Sequence, residues 1–148
     1  MKVILTGITG NLGYEIAEEL LTQGHDVIAI IRHGTEIKIP KLKERLKDVL
    51  YADLLDETSI SYENDADYIV HCAGVVHFRN AGNSNLKMME KVIKLAKDKQ
   101  IPIYFVSTAF VYRPDGDTHS FNNAYENDKW ESEQLLVTSG IEYQIIRP

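Results

Sequence analysis

A parallel α/β sheet, doubly wound about its first strand, is the fold this 148-residue sequence predicts. Three observations carry it. Short apolar runs alternate with stretches of helical periodicity along the chain, the signature of strand–helix–strand units. The runs are continuously apolar, as in Asp26-Val27-Ile28-Ala29-Ile30-Ile31, which suits strands covered on both faces. A glycine-punctuated turn, Gly7-Ile8-Thr9-Gly10-Asn11-Leu12-Gly13, joins the first run to the first helical stretch. Right-handed crossovers with a reversal beside the first strand then give the order 3-2-1-4-5-6, the Rossmann arrangement, in one domain over residues 1–148.

Each element follows from its residues. Met1 to Thr6 reads as a buried strand, and Tyr14 to Leu21 as an amphipathic helix that Gly24 stops. After the second strand at Asp26 to Ile31 the pattern breaks from Arg32 to Pro40, and Lys41 to Lys47 reads as a short charged helix. Val49 to Tyr51 is a brief strand ending at Ala52-Asp53-Leu54, with a short helix expected near Asp56 to Tyr62. Asp67 to Cys72 is the fourth strand, running into Ala73-Gly74. Asn85 to Lys99 is a long helix, with Leu86, Met89, Val92, Ile93 and Ala96 at helical spacing. Ile101 to Val106 is the fifth strand, its Pro102 near the start, where one is tolerated. A polar loop from Arg113 to Asn123 leads to a helix over Tyr125 to Ser139, and Glu142 to Ile146 is the last strand.

Composition bounds the partners. With 44% apolar and 26% charged residues, the chain has the balance of a soluble globular domain. A net charge of −6 disfavours nucleic acid and anionic membrane as partners. Cys72 is the lone cysteine, so no internal disulfide forms and a cytoplasmic setting is expected. The apolar run at the start is too short for a secretory signal, and no stretch has the length of a membrane span. His71, His77, Cys72 and Asp67 fit no usual zinc spacing, and His71 and Cys72 point to opposite faces of a strand, so no metal is expected. His25, His33 and His119 read as surface positions, and Glu15, Glu18 and Glu19 as the solvated face of the first helix.

The chemistry starts at the glycine turn. One glycine allows a sharp turn, another lets a pyrophosphate approach the backbone, and the last lets helix and strand pack closely. The free N–H groups and positive dipole end of the helix then hold phosphates. Ile30-Ile31-Arg32-His33 ends the second strand without a carboxylate for a ribose 2′-OH, and Arg32 suits a 2′-phosphate, so NADP is expected over NAD. Further along, Tyr125 and Lys129 are one helical turn apart. An ammonium so placed would lower the phenol's pKa and make Tyr125 a proton donor and acceptor. Ser107 and Thr108 follow the fifth strand, at the sheet edge where ligands bind.

With these motifs in hand, the chain resembles the extended short-chain dehydrogenase/reductases, the NAD-dependent epimerase/dehydratase-like family, along its whole length. The resemblance rests on Thr6-Gly7-x-x-Gly10-x-x-Gly13, Asp53-Leu54, His71-x-Ala73-Gly74, Asn85, Val106-Ser107-Thr108, Tyr125-x-x-x-Lys129 and Ile146-Arg147-Pro148. It implies Tyr125 as acid/base, Lys129 on the nicotinamide ribose, Asn85 holding a proton-relay water, and Thr108, with Ser107 second, orienting substrate. It also implies a cofactor held by Gly7, Thr9, Gly10, Asn11, Leu12, Gly13, Asp53 (at the adenine), Leu54, Ala73 and Gly74. Asn123 to Glu133 and Gly74-Val75-Val76-His77-Phe78 are similar to the fatty acyl-CoA and thioester reductase branch.

The resemblance implies an NAD(P)-dependent oxidoreductase or epimerase acting by hydride transfer on a small molecule. Family members continue past the Arg-Pro with a substrate lobe that this sequence does not contain, so low turnover by residues 1–148 is expected. A non-catalytic dinucleotide-binding or redox-sensing domain, or an inactive reductase fragment, is the alternative. Glu142 to Ile146 would leave an apolar edge strand, which favours a homo-oligomer with Tyr143, Ile145 or Ile146 near the contact. By family analogy, the two long helices could instead form a two-fold dimer interface.

Overall fold

A computed structural model describes residues 1–56, 58–76, 82–111 and 123–148. Six strands form one parallel sheet: β1 (Lys2–Thr6), β2 (Asp26–Ile31), β3 (Asp48–Tyr51), β4 (Tyr68–His71), β5 (Ile103–Val106) and β6 (Tyr143–Ile146). Their spatial order is β3-β2-β1-β4-β5-β6, the order the sequence predicts. The helices are α1 (Asn11–Thr22), α2 (Pro40–Lys43), α3 (Ser84–Lys99) and α4 (Ala124–Val137).

The period of two along each strand divides the core into two layers. Val3, Leu5, Val27, Ala29 and Ile31 face one way and pack with Ala17 of α1 and Leu42 of α2. Ile4, Ile28, Ile30, Ile69 and Phe105 face the other way, against Met89, Val92 and Ala96 of α3 and Leu136 of α4. The register pairs Val3 with Val27 and Ile4 with Ile28, so side chains bound for the same layer sit side by side. Strands buried on both faces cannot alternate apolar with polar residues, hence the continuous runs.

Two crossovers differ from the sequence expectation. The charged helix expected at Lys41 to Lys47 is one turn, Pro40–Lys43, preceded by a 3-10 turn at Thr35–Lys38. Pro40 sits at the first helical position, where its fixed φ suits the turn, and Ile39 and Leu42 are its buried anchors. No helix forms among the described residues near Asp56 to Tyr62. There the Asp53 and Asp56 carboxylates accept the Leu55 and Thr58 N–H groups, local bonds that compete with helix. Ile60 is buried, and Lys91 of α3 donates to the Thr58 carbonyl at 2.7 Å.

Smaller departures concern single residues. Leu86 is half-buried, and His25 is half-buried with its ring nitrogen 3.3 Å from the Met1 ammonium. Glu18 pairs with Arg45 at 2.7 Å rather than facing only water. His77, Phe78, His119 and the loop from Arg113 to residue 122 lie outside the described residues. No described helix is long and apolar enough to cross a membrane.

Candidate functional site

The glycine turn is shaped by two close approaches. Gly7 has φ +80, and a Cβ there would lie 2.5 Å from the Ala73 nitrogen, so β1 and β4 leave the sheet in contact. A Cβ on Gly13 would lie 2.1 Å from the Gly7 carbonyl oxygen, so α1 packs directly on the turn. Gly10 starts α1, donates to the Gly7 carbonyl at 3.0 Å and is exposed. The N–H groups of the helix's first turn have no acceptor within the helix. That end, with its partial positive charge, is suited to an anion.

The turn opens on a cleft of about 380 Å³ at the carboxyl ends of the strands. Gly7, Thr9 and Gly10 form one wall, and Ala73 and Gly74 after β4 another. Arg32, Thr35 and Lys38 bound the end beside β2, with Asp53 and Leu54 after β3. Thr35 donates its hydroxyl to the Arg32 carbonyl at 2.7 Å, which sets the backbone of this rim. Of the cofactor residues expected from the sequence, these eight (Gly7, Thr9, Gly10, Arg32, Asp53, Leu54, Ala73, Gly74) come together. Gly13 is buried behind the turn, while Asn11 and Leu12 line a separate shallow depression with Tyr14 and Glu15.

A second group of side chains adjoins this cleft at Gly74. A Cβ on Gly74 would stand 3.4 Å from Asn85 Oδ1 and 3.9 Å from Lys129 Nζ. The buried Asn85 carboxamide spans the Val75 peptide, accepting its N–H at 2.9 Å and donating to its carbonyl at 3.1 Å. Lys129 is buried, donates to the Val106 carbonyl at 3.1 Å and lies 4.4 Å from the Phe105 ring centre. Burial pulls its pKa down to about 8, against the upward pull of Glu133, Asp128 and Cys72. Tyr125 is buried, which raises its phenol pKa, while a hydrogen bond with Thr108 draws it down.

That direction differs from the sequence expectation. Lowering of the phenol pKa by Lys129 is not seen, because desolvation dominates Tyr125 and the ammonium is directed at the Val106 carbonyl. Thr108, not Ser107, is the hydroxyl brought to Tyr125. The Ser107 oxygen is buried without a hydrogen-bond partner among the described residues.

Sequence reasoning passed over three supports. Asp128 accepts the Asn85 and Leu86 N–H groups at 2.8 and 3.0 Å. Buried Glu133 holds Arg147 through two bonds, at 3.0 and 2.6 Å. Thr6 Oγ1 accepts the Ala73 N–H at 3.1 Å and shares the Cys72 N–H, so its own proton goes to His71 Nδ1 at 2.7 Å. His71 is therefore neutral with its proton on Nε2, and burial, then the Lys129 charge, holds its pKa down to about 3. A signal existed only for α4's own start: Asn123-x-x-Glu126 is a capping pair, and the Asn123 oxygen accepts the Glu126 N–H at 2.9 Å.

Sheet order, glycine cradle and cleft at the reversal beside β1 define a Rossmann sheet of the dinucleotide-binding class. The chain belongs to the NAD dependent epimerase/dehydratase family, whose model matches residues 3–147. UDP-glucose 4-epimerase from Bifidobacterium longum, solved with NAD+ and UDP, superposes on 99% of this chain with a TM-score of 0.80 at 20% identity. The aureusimine biosynthetic cluster reductase domain covers 99% with a TM-score of 0.75 at 22% identity. At those identities both show the fold alone. A hybrid PKS-NRPS synthetase of Penicillium citrinum is 26% identical over 95% of the chain. The chain spans 52% and 47% of those two structures, and 4% of the synthetase. It spans 8% of an uncharacterised Mycobacterium bovis relative.

Proposed function

We propose that this chain is the dinucleotide-binding part of an NADP(H)-dependent oxidoreductase or epimerase, with Tyr125 as its acid/base. One observation carries the reading: Gly74 lines the glycine-walled cleft and also abuts Asn85 and Lys129. The phosphate cradle and Lys129, one helical turn from Tyr125, thus adjoin across a single residue. The residues fit the cofactor, since the turn leaves no room for a Cβ at Gly7, and Arg32 and Lys38 add positive charge at the far rim. When bound, the nicotinamide would supply or accept a hydride. Lys129 would hold the adjoining ribose, Tyr125 would give or take the substrate proton, and Thr108 would orient the substrate oxygen while steadying the phenol. With its pKa raised, Tyr125 is a proton donor at neutral pH.

Arg32 supports NADP over NAD, because a guanidinium grips phosphate through charge-assisted paired bonds. Titration with both cofactors tests this. NADPH should bind more tightly, and Arg32→Ala should erase the difference; equal affinities in the unaltered protein would refute it. The likeness to the synthetase over 95% of the chain, with the Asn123 to Glu133 helix, favours an acyl-thioester reductase as a second reading. Substrates, a cytoplasmic setting and self-association through the exposed Tyr143 and Ile146 of β6 belong to this proposal as well.

A further inference from the structure

We propose that Asp128 is a positioning residue with two effects: it caps helix α3 from helix α4, which fixes Asn85 beside Lys129, and it gives the Lys129 ammonium a buried counter-charge. The proposal rests on the reading that Lys129 meets the cofactor. Asp128 precedes Lys129 in α4 and is 1% exposed. Its Oδ2 accepts the Asn85 N–H at 2.8 Å and its Oδ1 the Leu86 N–H at 3.0 Å. The residue placed to cap α3 by its own side chain, Asn83, makes no such bond. Two of α3's orphan N–H groups are thus satisfied from another element, with a charge that also suits the helix's positive end.

The consequence is geometric. Asn85 cannot shift along its helix axis without breaking the Asp128 bonds, so its carboxamide is held on Val75, 3.4 Å from where a Gly74 Cβ would stand. The Ser132 hydroxyl donates to the Asp128 carbonyl at 2.7 Å and steadies the same turn of α4. Both carboxylate oxygens are engaged by backbone, so Asp128 itself does not touch cofactor or substrate. Its charge nevertheless reaches Lys129. Among the described residues, the ionisable groups around that ammonium are Asp128 and Glu133 on α4, the latter paired with Arg147 after β6, with Tyr125 one turn earlier on α4, His71 at the end of β4 and Cys72 just after it. Of these, Asp128, Glu133 and Cys72 favour the ammonium.

The test is cofactor affinity against pH, which needs no substrate. Lys129 should lose its proton near pH 8, so NADPH affinity should fall as pH rises through that value. Asp128→Asn keeps the shape and removes the charge, so the falling limb should move to lower pH. Adding Asn83→Ser, a cap from α3 itself, should restore the melting temperature of Asp128→Asn but leave the limb displaced. Should Asp128→Asn not fold, Asp128→Ser, which keeps one acceptor without charge, carries the same comparison. An unmoved limb with a lowered melting temperature would make Asp128 a helix cap only, as would an Asn83→Ser variant that restores both. A Lys129→Met variant that keeps the limb, or an unaltered protein whose affinity is flat in pH, would overturn the cofactor reading at Lys129 and the proposal with it.

Discussion

Residue chemistry at the site is set mainly by burial. Tyr125, Lys129 and His71 all lie below a tenth exposed, and in each the first cause of the pKa shift is desolvation of the charged form. The phenol and the ammonium shift in opposite directions: Tyr125 rises above its ordinary value while Lys129 falls to about 8. In the proposed reading, a phenol kept protonated at neutral pH gives its proton to a substrate oxygen. Tyr125→Phe keeps the ring's packing and removes the proton. In a version that carries a substrate lobe, turnover of aldehyde, ketone or thioester substrates should then fall about 10²–10⁴-fold with NADPH affinity unchanged, and steady-state kinetics beside a binding titration would show it. The Tyr125-x-x-x-Lys129 spacing was readable from sequence, because four residues are one helical turn. The direction of the Tyr125 shift was not, because desolvation depends on what covers a side chain and not on its neighbours in sequence.

At the scale of elements, the strands and the glycine turn were legible and the polar supports were not. Continuous apolar runs mark strands buried on both sides, and β1, β2, β4 and β5 fall where those runs lie. Helix α4 shows the reverse. Its buried face carries Glu126, Asp128, Lys129, Ser132 and Glu133, so hydrophobic periodicity cannot find the face that meets the core. Two of those groups are satisfied from other elements, Asp128 by Asn85 and Glu133 by Arg147. The expected helix near Asp56 failed for a local reason, since Asp53 and Asp56 bond their own backbone. The β1–α1 junction has the least tolerance. Gly13→Ala would place a methyl 2.1 Å from the Gly7 oxygen, a clash with backbone that a rotamer change cannot relieve. Overpacking of this kind costs about 1–3 kcal/mol, and urea unfolding should show that loss together with weakened NADPH binding.

For the whole molecule, sheet order decides where function can lie. With β1 central and successive strands running outward on both sides, the carboxyl ends diverge at β1 and β4 and leave a crevice for a ligand. The cradle at Gly7 and the Arg32 rim border that crevice with residues that follow β1, β2, β3 and β4, and Asn85 of α3 and Lys129 of α4 adjoin it at Gly74. In the proposed reading a phosphate-bearing dinucleotide lies there, pyrophosphate on the α1 start and 2′-phosphate at Arg32. Phosphorus NMR of NADP+ titrated with the protein observes both groups in one spectrum. Shift or broadening of the pyrophosphate and the 2′-phosphate resonances together is the predicted result, the latter lost in Arg32→Ala. Unperturbed pyrophosphate signals at saturating protein would contradict the claim.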